Sequence, residues 1–215
     1  MKDNNKESVL GIIAEYNPFH NGHLYHLTES KKITNSKYVI AVIGNDFTER
    51  GDCSIFDKWT KTKLALENGI DLVIELPAIY SSSSAENFAY GAIAILDSLG
   101  IVDYLSFGSE NGDIDSFIDI SNNYIYENNT KFSNLLKEEL KNGNSYPKAM
   151  SIALDKISNN KYPEFLTPNN ILGLEYISAL NKLNSKITPI TIKRSSNDFN
   201  NKNIDISSSA SSIRN

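Results

Sequence analysis

Ile12-Ile13-Ala14-Glu15-Tyr16-Asn17-Pro18-Phe19-His20-Asn21-Gly22-His23 is the stretch on which the reading of this chain turns. The apolar run from Val9 to Ala14 reads as a buried strand. Asn17-Pro18 breaks it. His20-Asn21-Gly22-His23 then opens a helix to about Thr34, with Leu24, Leu27 and Ile33 on its inner face. A strand-to-helix turn offers free N–H groups and the positive end of a helix dipole, a setting that suits phosphate. Gly22 lets a phosphate approach the backbone. Two flanking imidazoles can donate hydrogen bonds as charge develops. The competing reading is a pair of surface histidines on a polar turn. Against it, all 3 histidines (His20, His23 and His26) fall in this one short segment. His26 lies one helical turn after His23.

Outward from that stretch, strands and helices alternate. Lys37–Gly44 and Asp71–Pro77 are apolar strands, and Val102–Phe107 is another. Continuous apolar strands separated by helices predict a parallel α/β sheet covered on both faces. The loop Asn45–Asp52 leaves the carboxyl end of a strand, where such sheets bind ligands. Arg50 suits an anion there, or is an exposed loop residue. Asp57 caps a helix from Lys58, with Trp59 and Leu66 inward and Lys61 and Lys63 on a solvated face. Ser83 and Glu86 have capping-box spacing. From Asp113 to about Asn160 strands vanish and helical segments follow, which predicts a helical insertion at 113–160 within an α/β domain made of 1–112 and 161–215. Thr167-Pro168 starts a further helix with Asn169 and Asn170 in its first turn. Lys186–Lys193 is a fifth strand, and Arg194-Ser195 leaves its end. The closing run Ser207–Arg214 reads as a phosphate cradle or as a serine tail.

Composition bounds the function classes. The chain has 215 residues, 40% hydrophobic and 22% charged, which is ordinary for a globular domain. No run of eighteen apolar residues predicts a membrane span. A single cysteine, Cys53, excludes an internal disulfide and fits the cytoplasm. No Cys/His pattern has zinc spacing. A net charge of −5 argues against a basic nucleic-acid surface over the whole chain. P-loop and dinucleotide fingerprints are absent.

Taken in order, several stretches resemble the HxGH nucleotidyltransferase superfamily and, more closely, the tRNA(Met) cytidine acetate ligase family. They are Glu15–His26, Arg50-Gly51, Asp57-Lys58-Trp59, Asp71–Pro77, Phe107–Gly112, Pro168–Tyr176 and Ser209–Arg214. The resemblance implies a Rossmann-like parallel sheet. It implies an ATP-dependent ligase that converts acetate to acetyl-adenylate and acetylates N4 of the wobble cytidine in elongator tRNA(Met). His20 and His23 would be catalytic. The ATP site would take Ile13, Ala14, Glu15, Tyr16, Asn17 and Pro18, then Phe19, His20, Asn21, Gly22, His23, Leu24, Tyr25 and His26. Gly108, Asn169 or Asn170, Arg194 with Ser195, and Arg214 would complete it. Mg²⁺ would bridge the phosphates, with no dedicated metal site in the protein. The alternatives are another small-molecule adenylyltransferase, or a non-catalytic nucleotide- or RNA-binding module. Family members continue past the closing motif. This chain is therefore expected to bind ATP but to acetylate tRNA poorly, with Lys58, Lys61, Lys63, Lys193 and Arg194 as its basic candidates.

Overall fold

The computed structural model describes residues 7–48, 51–125, 129–163 and 165–194. Arg50, Ser195 and Arg214, with the serine run before Arg214, lie outside the described residues.

The strands are β1 (Val9–Ala14), β2 (Tyr38–Ile43), β3 (Leu72–Glu75), β4 (Tyr104–Ser109) and β5 (Thr188–Lys193). They form one sheet in the order β3-β2-β1-β4-β5, with every pairing parallel. Alternation along β1 shows why both faces must be covered. Val9 and Ile13 join one hydrophobic cluster, while Leu10 and Ile12 join the other. Helices α1 (Asn21–Thr34) and α2 (Lys58–Glu67) cover the second face through Leu27 and Ala65. After the short α3 (Ala78–Ser81), α4 (Ala85–Ser98) covers the first face with Phe88, Ala92, Ile93 and Leu96.

Between β4 and β5 the described chain is helical. It runs through α5 (Ile114–Ile120), a π-helical turn (Ser121–Ile125), α6 (Thr130–Lys141), α7 (Tyr146–Ser158) and α8 (Pro168–Lys182). Thr167 caps α8 by accepting from the Asn170 N–H, and Pro168 occupies its first turn, as its sequence predicts. Phe117, Phe132, Met150 and Leu154 from these helices share one cluster with Phe107 of β4 and Ile177 of α8. The helices therefore continue the core of the first sheet face.

Three expectations need correction. On α1, Leu24 is 40% and Ile33 61% exposed; the inner face is Leu27, Ser30 and Thr34. On α2, Trp59 is 75% exposed and Leu66 also faces water, while Lys61 is 1% exposed. The Lys61 ammonium donates to the Gly44 carbonyl (2.9 Å), the Asn45 carbonyl and Ser54 Oγ (3.2 Å). Burial pulls its pKa below the usual lysine value, against the influence of Glu15, Asp46 and Glu75. It supplies donors to the Gly44 carbonyl and, together with Ser54 Oγ at 3.4 Å, to the Asn45 carbonyl of the turn after β2, so it is no surface contact for a polyanion. Finally, Ser84 rather than Ser83 caps α4, accepting from Asn87 N–H.

Candidate functional site

The sheet order reverses between β1 and β4, and ligands of open α/β sheets bind outside the carboxyl ends of strands at such a reversal. A cavity of about 330 Å³ lies there. Its walls come from β1 and the β1–α1 turn, the first turns of α1, the end of β4, α8 and the end of β5.

The β1–α1 turn is built by its own side chains. Tyr16 is buried with a left-handed backbone (φ 47°), a conformation that costs a non-glycine residue roughly 1–3 kcal/mol. Its ring packs 4.8 Å from Phe19 and 4.9 Å from His23, and burial raises its phenol pKa. Asn17 Oδ1 accepts from Ile55 N–H (2.9 Å), tying this turn to the loop before α2. His20 caps α1. Its Nδ1 accepts from Gly22 N–H at 3.0 Å, and its own N–H donates to His23 Nδ1 at 3.2 Å. This is a reciprocal capping box made from two imidazoles. The rings stack with centroids 3.8 Å apart.

Those two bonds fix the tautomers. A neutral imidazole whose Nδ1 accepts must carry its proton on Nε2. Both rings line the cavity, and no described residue bonds either Nε2. Burial and the Arg194 charge hold the His20 pKa below its usual value. Burial, with His20, His26 and Arg194, holds His23 well below it. The pair therefore presents two neutral Nε2–H donors. The free amides expected at this helix start are partly spoken for, because Gly22 and His20 N–H are spent on the rings. Gly22 has a further reason to be glycine: a Cβ there would stand 2.8 Å from His20 Cε1.

His26 is deeper. Its Nε2 lies 3.0 Å from Ser106 Oγ, which is 2.7 Å from Ser30 Oγ. Ser30 donates to the His26 carbonyl at 2.6 Å. Ser106 then donates to Ser30 and accepts from His26 Nε2–H. Burial lowers the His26 pKa to about 4, with Arg194 adding to the shift and the Phe107 backbone opposing it. This buried chain ties α1 to β4.

The opposite wall carries Gly108, Asn169 and Arg194. The Arg194 side chain lies over Gly108, where a Cβ would stand 3.3 Å from Arg194 Cγ. Arg194 Nη1 points to Asn169 Oδ1 at 3.4 Å, and its N–H donates to the Ser109 carbonyl at 2.7 Å.

Of the residues singled out in the sequence, Ile13, Ala14, Glu15, Tyr16, Asn17, His20, Gly22, His23, Tyr25, His26, Gly108, Asn169 and Arg194 line this cavity. Pro18, Phe19, Asn21, Leu24 and Asn170 are not in its lining. Asn170 is buried, giving its Nδ2–H to the Phe165 carbonyl (2.7 Å) and accepting from Glu110 N–H (3.2 Å), so between the two asparagines Asn169 faces the cavity. Lys193, one of the basic candidates, also lines it, while sequence reasoning missed Ile12, Phe107, Leu172, Tyr176 and Ile192. Strand alternation places Phe107 and Ile192, but nothing local marks either as cavity rather than core. Among the described residues no group of three His, Cys, Asp or Glu side chains could hold a metal, and no helix is long and apolar enough to cross a membrane.

Comparison with known proteins fits this geometry. A family described as HIGH Nucleotidyl Transferase matches residues 7–215. A protein of Acetivibrio thermocellus named tRNA(Met) cytidine acetate ligase is 51% identical over 96% of this chain and 50% of its own length. One of Clostridium kluyveri with the same name is 49% identical over 96% of this chain and 53% of its own. A crystal structure of Thermotoga maritima TmcAL bound with alpha-thio ATP superposes with a TM-score of 0.85 at 39% identity, covering 96% of this chain and 49% of that one. The chain spans about half the length of the curated relatives it matches.

Proposed function

The chain belongs to the HIGH nucleotidyl transferase family, and from that premise we propose that it binds ATP in the β1–β4 cavity and activates acetate as part of a tRNA(Met) cytidine acetate ligase. The observation that carries this reading is that His20 and His23 each accept a backbone N–H at Nδ1, which leaves Nε2 as the donor, and that both rings line one cavity with Arg194. In the proposed reaction an acetate oxygen attacks the α-phosphorus of ATP. The bond to the β-phosphate oxygen breaks and pyrophosphate leaves. Negative charge on the phosphoryl oxygens and leaving group is met by the two imidazole N–H groups and Arg194. Neither imidazole needs to give up its proton. In the transfer step the cytidine N4 attacks the acetyl carbonyl, AMP departs, and N4 loses one proton. Cys53 is exposed, lies outside the cavity lining and takes no part.

Mg²⁺ fits as a companion of the triphosphate. It keeps most of its waters and takes one or two carboxylates beside phosphate oxygens; Glu15 supplies a carboxylate in the described lining. When bound, it would neutralise phosphate charge. Ser195 and Arg214 are proposed as further phosphate contacts. Residues 113–160 are proposed as a helical insertion within an α/β domain of 1–112 and 161–215. The proposed setting is the cytoplasm.

The test is acetate-dependent exchange of labelled pyrophosphate into ATP by this chain. Exchange with acetate and none with mononucleotides supports the reading. Turnover with a mononucleotide and none with acetate moves it to another adenylyltransferase, and ATP binding without any turnover moves it to a binding module.

A further inference from the structure

Beside the cavity, Glu110 forms a relay to Asn169 and Arg194 that the nucleotide reading leaves out. Glu110 sits just after β4, facing the first turn of α8. Its Oε1 accepts from Asn169 Nδ2 at 2.6 Å, and its Oε2 accepts from Thr167 Oγ1 at 2.6 Å. Its own N–H donates to Asn170 Oδ1 at 3.2 Å. Glu110 is thus bound to three polar positions of the α8 start: the cap Thr167, then Asn169 and Asn170. A carboxylate near a helix N-terminus is also favoured by the helix dipole.

The bond to Asn169 carries information. A carboxylate only accepts hydrogen bonds, so it must face the NH₂ end of the asparagine amide. The other end, Oδ1, then turns to Arg194 and the cavity, where it takes the Nη1–H at 3.4 Å. With Glu110 in place, Asn169 is an acceptor toward the ligand. An acceptor repels a phosphate oxygen and welcomes a donor. On ATP the donors are the ribose hydroxyls and the adenine amine.

We infer that Glu110 is a positioning residue: it fixes the Asn169 amide so that Oδ1 holds Arg194 over Gly108 and reads a hydrogen-bond donor on the bound nucleotide. This deepens, and rests on, the nucleotide reading of the cavity. Glu110 itself is absent from the lining, so its effect travels through Asn169.

The polarity of the relay can be reversed. In Glu110→Gln the new amide can keep the Thr167 bond through its oxygen, leaving an NH₂ to face Asn169. With the Thr167 bond kept in that way, Asn169 flips, and its NH₂ then confronts Arg194. In Asn169→Asp two carboxylates face each other. In the double variant Glu110→Gln/Asn169→Asp, the introduced amide NH₂ donates to the introduced carboxylate, an oxygen again faces Arg194, and the formal charge equals that of the starting protein. Each single variant is expected to weaken ATP binding about tenfold, in KM rather than kcat, and the double variant to recover to within about threefold of the starting protein.

A purely structural role for Glu110 would not predict that recovery. Glu110→Gln at full affinity, or a double variant no better than the sum of the singles, overturns the inference. If Asn169 met a phosphate oxygen instead, Glu110→Gln would not weaken binding and the double variant would stay weak, which also overturns it. Parallel titrations with 2′-deoxy-ATP and with purine riboside triphosphate, which lacks the amine, identify the donor: the analogue missing it loses its sensitivity to Glu110→Gln. The relay also has a readout without nucleotide. The Asn169 side-chain NH₂ resonances, shifted downfield by a carboxylate partner, move in Glu110→Gln; unchanged resonances refute the relay. Should the chain bind no ATP while those resonances still move, the nucleotide reading fails and the relay stands.

Discussion

Helices α1 and α2 leave adjacent strands, pack on the same face of the sheet, and each buries polar groups that a helix of simple amphipathic design would expose. They handle the burden differently. At α1 the polar groups turned inward include the Ser30 hydroxyl and the half-buried imidazoles of His20, His23 and His26, and their bonds run to other side chains or to the helix start: His26 to Ser106 of β4, Ser106 to Ser30, and the His20–His23 exchange with backbone amides. On α2 the buried group is one ammonium, and its bonds run mainly to main-chain carbonyls of the turn after β2. The first arrangement leaves hydrogen-bonding capacity over, namely Nε2–H of His20 and His23, aimed into a cavity. The second directs its ammonium to neighbouring oxygens inside the protein. A buried polar network with a remainder pointing into a cavity is a site; a network closed on the backbone is scaffolding.

The largest effect that can break this contrast is catalytic. Replacing His20 or His23 with Ala should lower acetate-dependent exchange by roughly 10²–10³, with about 1 kcal/mol of stability lost at His20 because α1 loses its cap. Full exchange activity in either variant would erase the distinction. Lys61→Met is the counterpart. It removes the ammonium donor from the Gly44 carbonyl, leaves the Asn45 carbonyl with only the 3.4 Å bond from Ser54 Oγ, and should cost roughly 1–3 kcal/mol in denaturant unfolding, with ATP affinity of the folded protein unchanged. A large loss of affinity at unchanged stability would make Lys61 part of the site.

The pH dependence sharpens the contrast further. His26 has its folded pKa lowered from 6.5 to about 4, so the unfolded chain binds its proton first. Its contribution to stability is complete above pH 6.5 and is lost as pH falls toward 4. Glu175, on α8, runs the other way. Burial raises its pKa from 4.5 to about 7, with Glu86 adding to the rise and Lys182 opposing it. Its contribution is complete below pH 4.5 and is lost as pH rises through 7. Glu175→Gln should therefore raise the melting temperature above pH 7 and leave it nearly unchanged at pH 4.5, while His26→Asn should flatten the decline between pH 6.5 and 4. Melting curves across pH 4–8 check both. The smallest effect belongs to Trp59→Ser: at 75% exposure its ring has little to lose, and stability should stay within about 0.5 kcal/mol.

Much of this was readable in the sequence because it rests on local signals. The apolar runs Val9–Ala14 and Tyr38–Ile43 can only be strands of a covered sheet, and Thr167-Pro168 can hardly be anything but a helix start. The turn from Glu15 to His23 announced itself by placing His20, His23 and Gly22 beside a break. The orientation of α1 and α2 was not readable, because Leu24, Ile33, Trp59 and Leu66 look like core by hydropathy alone. What turned those helices was the demand of other groups: Ser106 on β4 for Ser30 and His26, and the carbonyls after β2 for Lys61. Neither demand has a fixed spacing in sequence. The choice of Asn169 over Asn170 likewise depended on Glu110 and Phe165, each taking a bond from the α8 start.

The central claim is that His20 and His23 are neutral and carry their protons on Nε2, toward the nucleotide. Nitrogen-15 spectra of histidine-labelled protein at pH 7, with and without ATP, measure this directly. Both rings should show a protonated Nε2 and an unprotonated Nδ1 before ATP is added, and the Nε2 resonances should shift on titration while Nδ1 stays bound to its backbone amide. Rings protonated on Nδ1, or Nε2 resonances indifferent to saturating ATP, would contradict the account.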